Sequence, residues 1–564
     1  MAKSKCAPIF LVGFILLGQA GWSQQKLADT YVATVDVRVI NIETVVTDGK
    51  GNRVEGLGLQ DFRLLVDGEE VAIGYFNEIR EGRTTPPVTT GISAAVLPPT
   101  DSAVPQAIPT NYLVFIEDVF PRGAHRNLVL KKLQKQIEDL GPADQMSIMA
   151  FNGLRLEALS DWTQSRDELY EGFALAVKRP AAGEFRMQER RAFAGGTEGA
   201  TAFNSQMPFS QATGYASLLN SQLRAVIGAA STAMRVAGRP EGRRVMLLLS
   251  GGWPYEVLPP DPIALVDDLA LGPGTDWDTN ILRSLQRMNT LDNFLLFPRG
   301  LELYQMLTDT ANRMSYTLYP VDVPGLQWTG TDVTSEKPLM TAPPALMGND
   351  RQSQDEGTLA LLANQTGGRA LLNDLRLDAL AHAAKDTRSY YWLGFQAEVQ
   401  GDDQRHRIEV ETKQRGLKVR ARKNYVDLSR ATEAAMETEA ALYLRKSDDL
   451  GLIVTVGEGR KIIAKQIEVP LKLSIPVDEI TVLPVAQGWA AYLEVNIQAR
   501  DDRANVSDVQ VAPVNLLSKT EPEPGSRTFF NTWITLRDQG NDLAVTLRDL
   551  TSENTLTTFI RVDR

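Results

Sequence analysis

Between Asn111 and about Leu372 two patterns alternate, and their alternation restricts the fold more than any other feature of the sequence. Short continuous apolar runs, "YLVFIE", "QMSIMAF", "RRVMLLLSGG" and "YTLYPVDV", read as strands buried on both faces. Between them lie "NLVLKKLQKQIEDLG", "RDELYEGFALAV", "ASLLNSQLRAVIGAASTAMRVAG" and "ELYQMLTDTANRMS", followed by "GTLALLANQTGG", with apolar residues at helical spacing. A strand followed by a helix, repeated, predicts a parallel sheet covered by helices on both sides.

The flanks follow a different rule. From Thr34 to Ile79 the period is two, in "VDVRVINIETVV" and "FRLLVDG", with turns at "TDGKGN" and "VDGEE". Three further strand-like runs, "SYYWLGFQAEV", "RHRIEVETK" and "LKVRARKNY", follow the α/β region. We assign residues 31–80 together with 389–426 to one small β domain, 81–110 to a Pro/Thr-rich linker, and 111–388 to the α/β domain. Long insertions interrupt that domain at 180–213 and 254–300. A connector at 427–446 leads to a β-sandwich at 447–564, read from "YLEVNIQAR", "VSDVQVAPVNLL", "TFFNTWITL", "DLAVTLRDL" and "TLTTFIRVDR". At 564 residues several cores are expected.

Residues 1–23 read as a signal peptide: basic "MAKSK", apolar "CAPIFLVGFILLG", then small residues suited to cleavage after Ser23 or after Ala20. The apolar run is shorter than the roughly 20 residues of a spanning helix, so no integral membrane anchor is expected. The single cysteine, Cys6, would leave with the leader, which excludes disulfides and thiol chemistry from the mature chain. This composition suits a bacterial envelope, periplasmic or extracellular. The formal charge of -11, more negative still without Lys3 and Lys5, argues against nucleic acid as a partner.

In order along the chain, several segments resemble exported bacterial proteins related to von Willebrand factor A (VWFA) domains. They are "VVTDGKGNRVEGLGLQDFRLLVDGEEVAIGYF", "LGPADQMSIMAF", "DWTQSRDEL", "GRRVMLLLSGGW", "LYPVDVPGL", "LANQTGGRALLN", "DTRSYYWLGFQAE" and "RHRIEVETKQRGLKVRARKNYV". The resemblance implies a Rossmann-like A domain, and hence a multidomain α/β plus all-β chain. It also implies a ligand site at the carboxyl ends of the strands, where A domains generally hold Mg²⁺ through D-x-S-x-S, a threonine and a later aspartate.

Here that metal motif is degenerate. Asp118, or Glu117 in a register one residue shorter, stands for the first aspartate, but the serine positions hold Phe120 and Arg122. "LLLSGGW" places Ser250, Gly251 and Gly252 where the later aspartate would be, and Thr197 or Thr201, in "AGGTEGATAF", is the candidate threonine. No metal and no cofactor is therefore expected, with Asp118 and Thr197 as remnants. As a plain strand-end acid, Asp118 would cap the next helix or pair with Arg122 or Arg126.

Catalytic motifs are missing as well. His125, His382 and His406 show no metal-ligand spacing, Ser250 lacks a G-x-S-x-G elbow, and no Walker loop or G-x-G-x-x-G occurs. In "YYWLGF", alternation sends Tyr391, Leu393 and Phe395 to one face as core. The expectation is a non-enzymatic protein that binds a protein or cell-surface partner through strand-end loops, with Asp118, Phe120, Arg122, Ser250, Trp253 and Tyr255 as contact candidates. An assembly component of the envelope is the alternative; a hydrolase is a more distant one.

Overall fold

A computed structural model describes residues 36–85, 107–193, 209–237, 240–254, 301–324, 349–448, 450–463, 465–502 and 505–563. The expected signal peptide, most of the 81–110 linker, and Thr197, Thr201 and Tyr255 lie outside them. The fold is mixed, with one largely parallel α/β sheet and several antiparallel sheets. Val39–Ala397 with Arg405–Val426 form one compact unit; Glu398–Gln404 and Asp427–Arg564 belong to a second. No helix among the described residues is long and apolar enough to cross a membrane.

In the first unit, β6 (Thr110–Glu117) lies at the centre of a five-stranded sheet, with β7 (Gln145–Phe151) on one side and β9 (Arg243–Ser250) on the other. Both pair parallel to it, Val114 facing Ile148 and Leu247. β10 (Tyr316–Asp322) continues parallel beyond β9, and β8 (Leu156–Thr163) closes the opposite edge antiparallel to β7. All eight residues of β6 are buried, as a strand with helices on both faces requires. On one face Tyr112, Val114 and Ile116 share a core with α1 (Gly123–Gln136), α2 (Arg166–Lys178) and α7 (Ala379–Thr387). Leu113 and Phe115, also fully buried, face the other way. α4 (Phe209–Val236) packs on β6 and β7, while α5 (Leu301–Arg313) and α6 (Asn349–Gln365) pack on β10; α3 spans Gly183–Phe193.

The remainder of this unit is a pair of sheets in which strands from before and after the α/β region interleave. One runs β13 (Lys418–Arg420), β1 (Asp36–Thr47), β11 (Tyr390–Val399), β4 (Tyr75–Arg80), β5 (Arg83–Thr84). The other runs β14 (Asn424–Val426), β12 (Arg405–Thr412), β2 (Phe62–Val66), β3 (Glu69–Glu70). Phe62, Leu64, Tyr391, Leu393, Phe395 and Ile408 build their common core.

Ion pairs join these sheets to the α/β region. Asp386 at the end of α7 takes Arg53 at 2.5 Å, Arg420, and the Tyr319 hydroxyl at 2.6 Å. Burial pushes this carboxyl up, but the two guanidinium groups and the hydroxyl outweigh it and hold it at about 2. Arg243 pairs with Glu43 at 2.9 Å and lies over the Tyr390 ring.

In the second unit α8 (Arg430–Leu444), capped by Ser429, leads to a sandwich of two sheets. In one, β17 (Gln466–Pro476) pairs with β15 (Ile453–Val456), β16 (Arg460–Ile463) and β21 (Arg527–Arg537). The other holds β18 (Leu483–Val485), β19 (Gly488–Asp501), β20 (Gln510–Ser518), β22 (Asn541–Asp549) and β23 (Thr555–Val562). Leu471, Leu473, Leu493, Val495, Ile534 and Val545 lie in the core between them.

Candidate functional site

The chain reverses its direction of travel across the sheet between β6 and β9, and loops that leave adjacent strand ends there diverge to leave a crevice. In this chain the crevice is filled from within. Glu117, the last residue of β6, is completely buried, and its carboxylate ties the two loops together. One oxygen accepts the Val119 and Phe120 amides at 3.2 and 3.0 Å; the other accepts the Gly251 amide at 2.7 Å and the Trp253 indole N–H at 3.3 Å. Burial raises this carboxyl to about 7, against the four donors, which favour the charged form.

Asp118 points elsewhere and is equally closed off. It forms ion pairs with Arg126, on the first turns of α1, and with Arg179 Nε at 2.8 Å just beyond α2. Arg179 also reaches Glu157, and Arg126 donates to the Arg179 carbonyl at 2.7 Å. Two guanidinium groups therefore occupy the position in which a cation would neutralise this carboxylate. Burial pushes Asp118 up, and the two arginines act against that. Of the two pairings expected for a strand-end acid, Arg126 is the one formed. Arg122 instead projects outward, half exposed, with Nε 3.7 Å from Glu184.

Glycine sets the shape of the connecting loop. A Cβ on Gly251 would lie 2.4 Å from the Pro121 nitrogen, and one on Gly183 would lie 2.3 Å from the Pro121 carbonyl oxygen. Residues 120–122 are thus held between two backbones at distances no side chain permits. Gly252, with φ near +95°, then turns the β9 loop back through a left-handed conformation.

Three expected contact residues need correction. Ser250 is the fully buried last residue of β9, so its hydroxyl lies inside, where it accepts from the Gly252 amide at 3.3 Å. Trp253 is buried as well, stacked on Tyr304 with ring centroids 5.9 Å apart, because its indole N–H is drawn in to Glu117. Asp118 is sequestered by its arginines. None of these side chains faces outward. Phe120 is half-buried and the Arg122 side chain is 49% exposed, so these two form the accessible part of the loop. Burial first, then Arg122 and Arg376, push the nearby His125 imidazole below its ordinary range, against Glu184.

Sequence reasoning gave Glu117 only as an alternative register for the metal motif and missed Arg179 altogether. An acid ending a fully apolar strand is a visible signal for the first. Arg179 lies 61 residues from Asp118 and carries no local signal.

No family model matches this chain, and no curated protein matches it in sequence. Among solved structures, the pilus adhesin SpaC from Lactobacillus rhamnosus GG is similar over 80% of this chain and 56% of its own length, at 8% identity and a TM-score of 0.25. A Bacteroides uniformis beta-glucuronidase is similar over 31% of this chain and 19% of its own, at 11% identity and a TM-score of 0.15. The structural-genomics target SoR45 is similar over 20% of this chain and 84% of its own, at 12% identity and a TM-score of 0.14. Likenesses this slight carry no argument about fold or function.

Proposed function

We propose that this is an exported, non-enzymatic binding protein of the von Willebrand A type, whose strand-end loops engage a protein or cell-surface partner without a metal ion. The type is supported by the strand order 3-2-1-4-5, counted along the chain within the α/β sheet, with its third strand antiparallel at the edge. Export rests on the leader-like residues 1–23. The observation that carries the metal-free reading is the double ion pair of Asp118 with Arg126 and Arg179. A hard cation needs several oxygens that are still free to ligate, and the first of them already has its counter-charges. With Phe120 as an apolar contact and Arg122 as a cation, the loop suits a partner that offers an acidic group beside an apolar one.

The test is affinity capture from the source envelope with the mature chain as bait, in EDTA and then in Mg²⁺. Equal recovery in both, lost in Arg122→Glu, is expected. Capture that needs Mg²⁺ would overturn the metal-free mechanism, and capture indifferent to Arg122→Glu would move the contact away from this loop.

A further inference from the structure

We propose that the outer edge of β21 is a docking site for a second copy of this chain, joined strand to strand and antiparallel about a two-fold axis at Thr532. The argument starts from how the sandwich treats its edges, since an unpaired strand edge offers a row of amides and carbonyls to any extended chain. Most edges here are blunted. β15 and β16 have four residues each, and the pairing of β16 is broken between Lys461 and Ile463. β20 carries Pro513 at its middle. β23 is covered by the segment before β15: the Asp448 amide donates to the Thr557 carbonyl at 3.0 Å, the Thr557 amide donates to the Asp448 carboxylate, and the Phe559 amide donates to the Ser447 hydroxyl at 3.0 Å.

β21 has none of these devices. It pairs with β17 over eleven residues, Arg527 to Arg537, with no register shift, and among the described residues no strand pairs with its other side. From Thr528 to Leu536 the strand holds no proline, no lysine and no charge at all. Its outward side chains include Phe529, 53% exposed, and Trp533, 38% exposed.

The strand also suits itself as a partner. Antiparallel pairing about Thr532 sets Phe529 opposite Thr535 and Asn531 opposite Trp533 on the outer face, and Phe530 opposite Ile534 on the inner one. Aromatic and β-branched residues directly opposite each other stabilise a sheet, and no like charges meet within the nine residues. Arg527 and Arg537 meet only at the ends, where Arg527 already donates to Ser474 at 2.7 Å and Arg537 already pairs with Asp501 at 2.5 Å. An interface in which one strand pairs with its own copy is isologous and closes at two chains.

Sedimentation equilibrium of the full chain, compared with Trp533→Lys, Asn531→Lys and the control Val511→Lys, tests this. Val511 is exposed on β20, in the other sheet. A wild-type dimer is expected that the control keeps and either β21 variant weakens by about tenfold or more, because each substitution enters twice. Circular dichroism melts that match the wild type show that the lysines spare the fold. A monomeric wild type, a dimer indifferent to both lysines, or a β21 edge occupied by a different protein would each overturn the proposal.

Discussion

Glu117 makes the strand-end loops sensitive to pH in a way that can be measured. In the unfolded chain its carboxyl titrates near the ordinary 4.5, and in the native fold near 7. Between these values the native state keeps a proton that the unfolded state has lost. Stability therefore falls as pH rises through that window, and the loss is complete above about pH 7. At 1.36 kcal/mol per unit the difference corresponds to at most about 3 kcal/mol. Replacement by Gln removes the titration. It also turns one amide NH₂ toward backbone donors, a pH-independent cost of about 1–3 kcal/mol. Urea unfolding at pH 5, 6, 7 and 8, followed by tryptophan fluorescence, gives both quantities. The expected result is that Glu117→Gln is the less stable protein at pH 5 and recovers relative to wild type, by up to about 3 kcal/mol, by pH 8. A constant difference across the series, or one that grows with pH, would refute burial as the dominant influence on this carboxylate.

Gly251→Ala forces a Cβ against the Pro121 nitrogen at 2.4 Å and should cost several kcal/mol in urea unfolding, whereas Gly49→Ala, with nothing within 4 Å, should be nearly neutral. Asp386→Asn leaves Arg53 and Arg420 without their shared counter-ion, and a loss of about 3–5 kcal/mol at pH 7 is expected from the same assay. Because the native Asp386 titrates near 2, below the ordinary 3.8, its contribution is fully present above pH 4. It is lost as pH falls toward 2, so the gap between variant and wild type should narrow there by about 2 kcal/mol.

The coarse fold was readable because each layer has its own period. The continuous apolar runs "YLVFIE" and "RRVMLLLS" appear as β6 and β9, and the alternation in "YYWLGF" places Tyr391, Leu393 and Phe395 in a core. The first strands of the sandwich were less legible. No strand was named before Tyr492, yet β17 runs through Pro470, a residue that argues against a central strand. Pro470 is tolerated because β15 pairs only from Leu471 onward and β16 only up to Glu468, so its missing N–H faces the gap between two short neighbours. At the site, Phe120 and Arg122 at the two serine positions of the expected motif were visible in sequence, and Arg126 was one of the pairings expected for Asp118. Arg179 was not, because it reaches Asp118 only through the packing of α1 and α2. Trp253 was expected outside because a glycine pair precedes it; its pull toward Glu117 depends on the neighbouring strand and has no local mark.

Isothermal titration of Mg²⁺ into the full chain, beside Asp118→Asn, tests most directly whether arginines have taken the place of a cation. If Arg126 and Arg179 satisfy Asp118, both proteins give only heats of dilution and Asp118→Asn lowers stability equally with and without Mg²⁺. Saturable binding of one equivalent that disappears in Asp118→Asn would contradict the metal-free site.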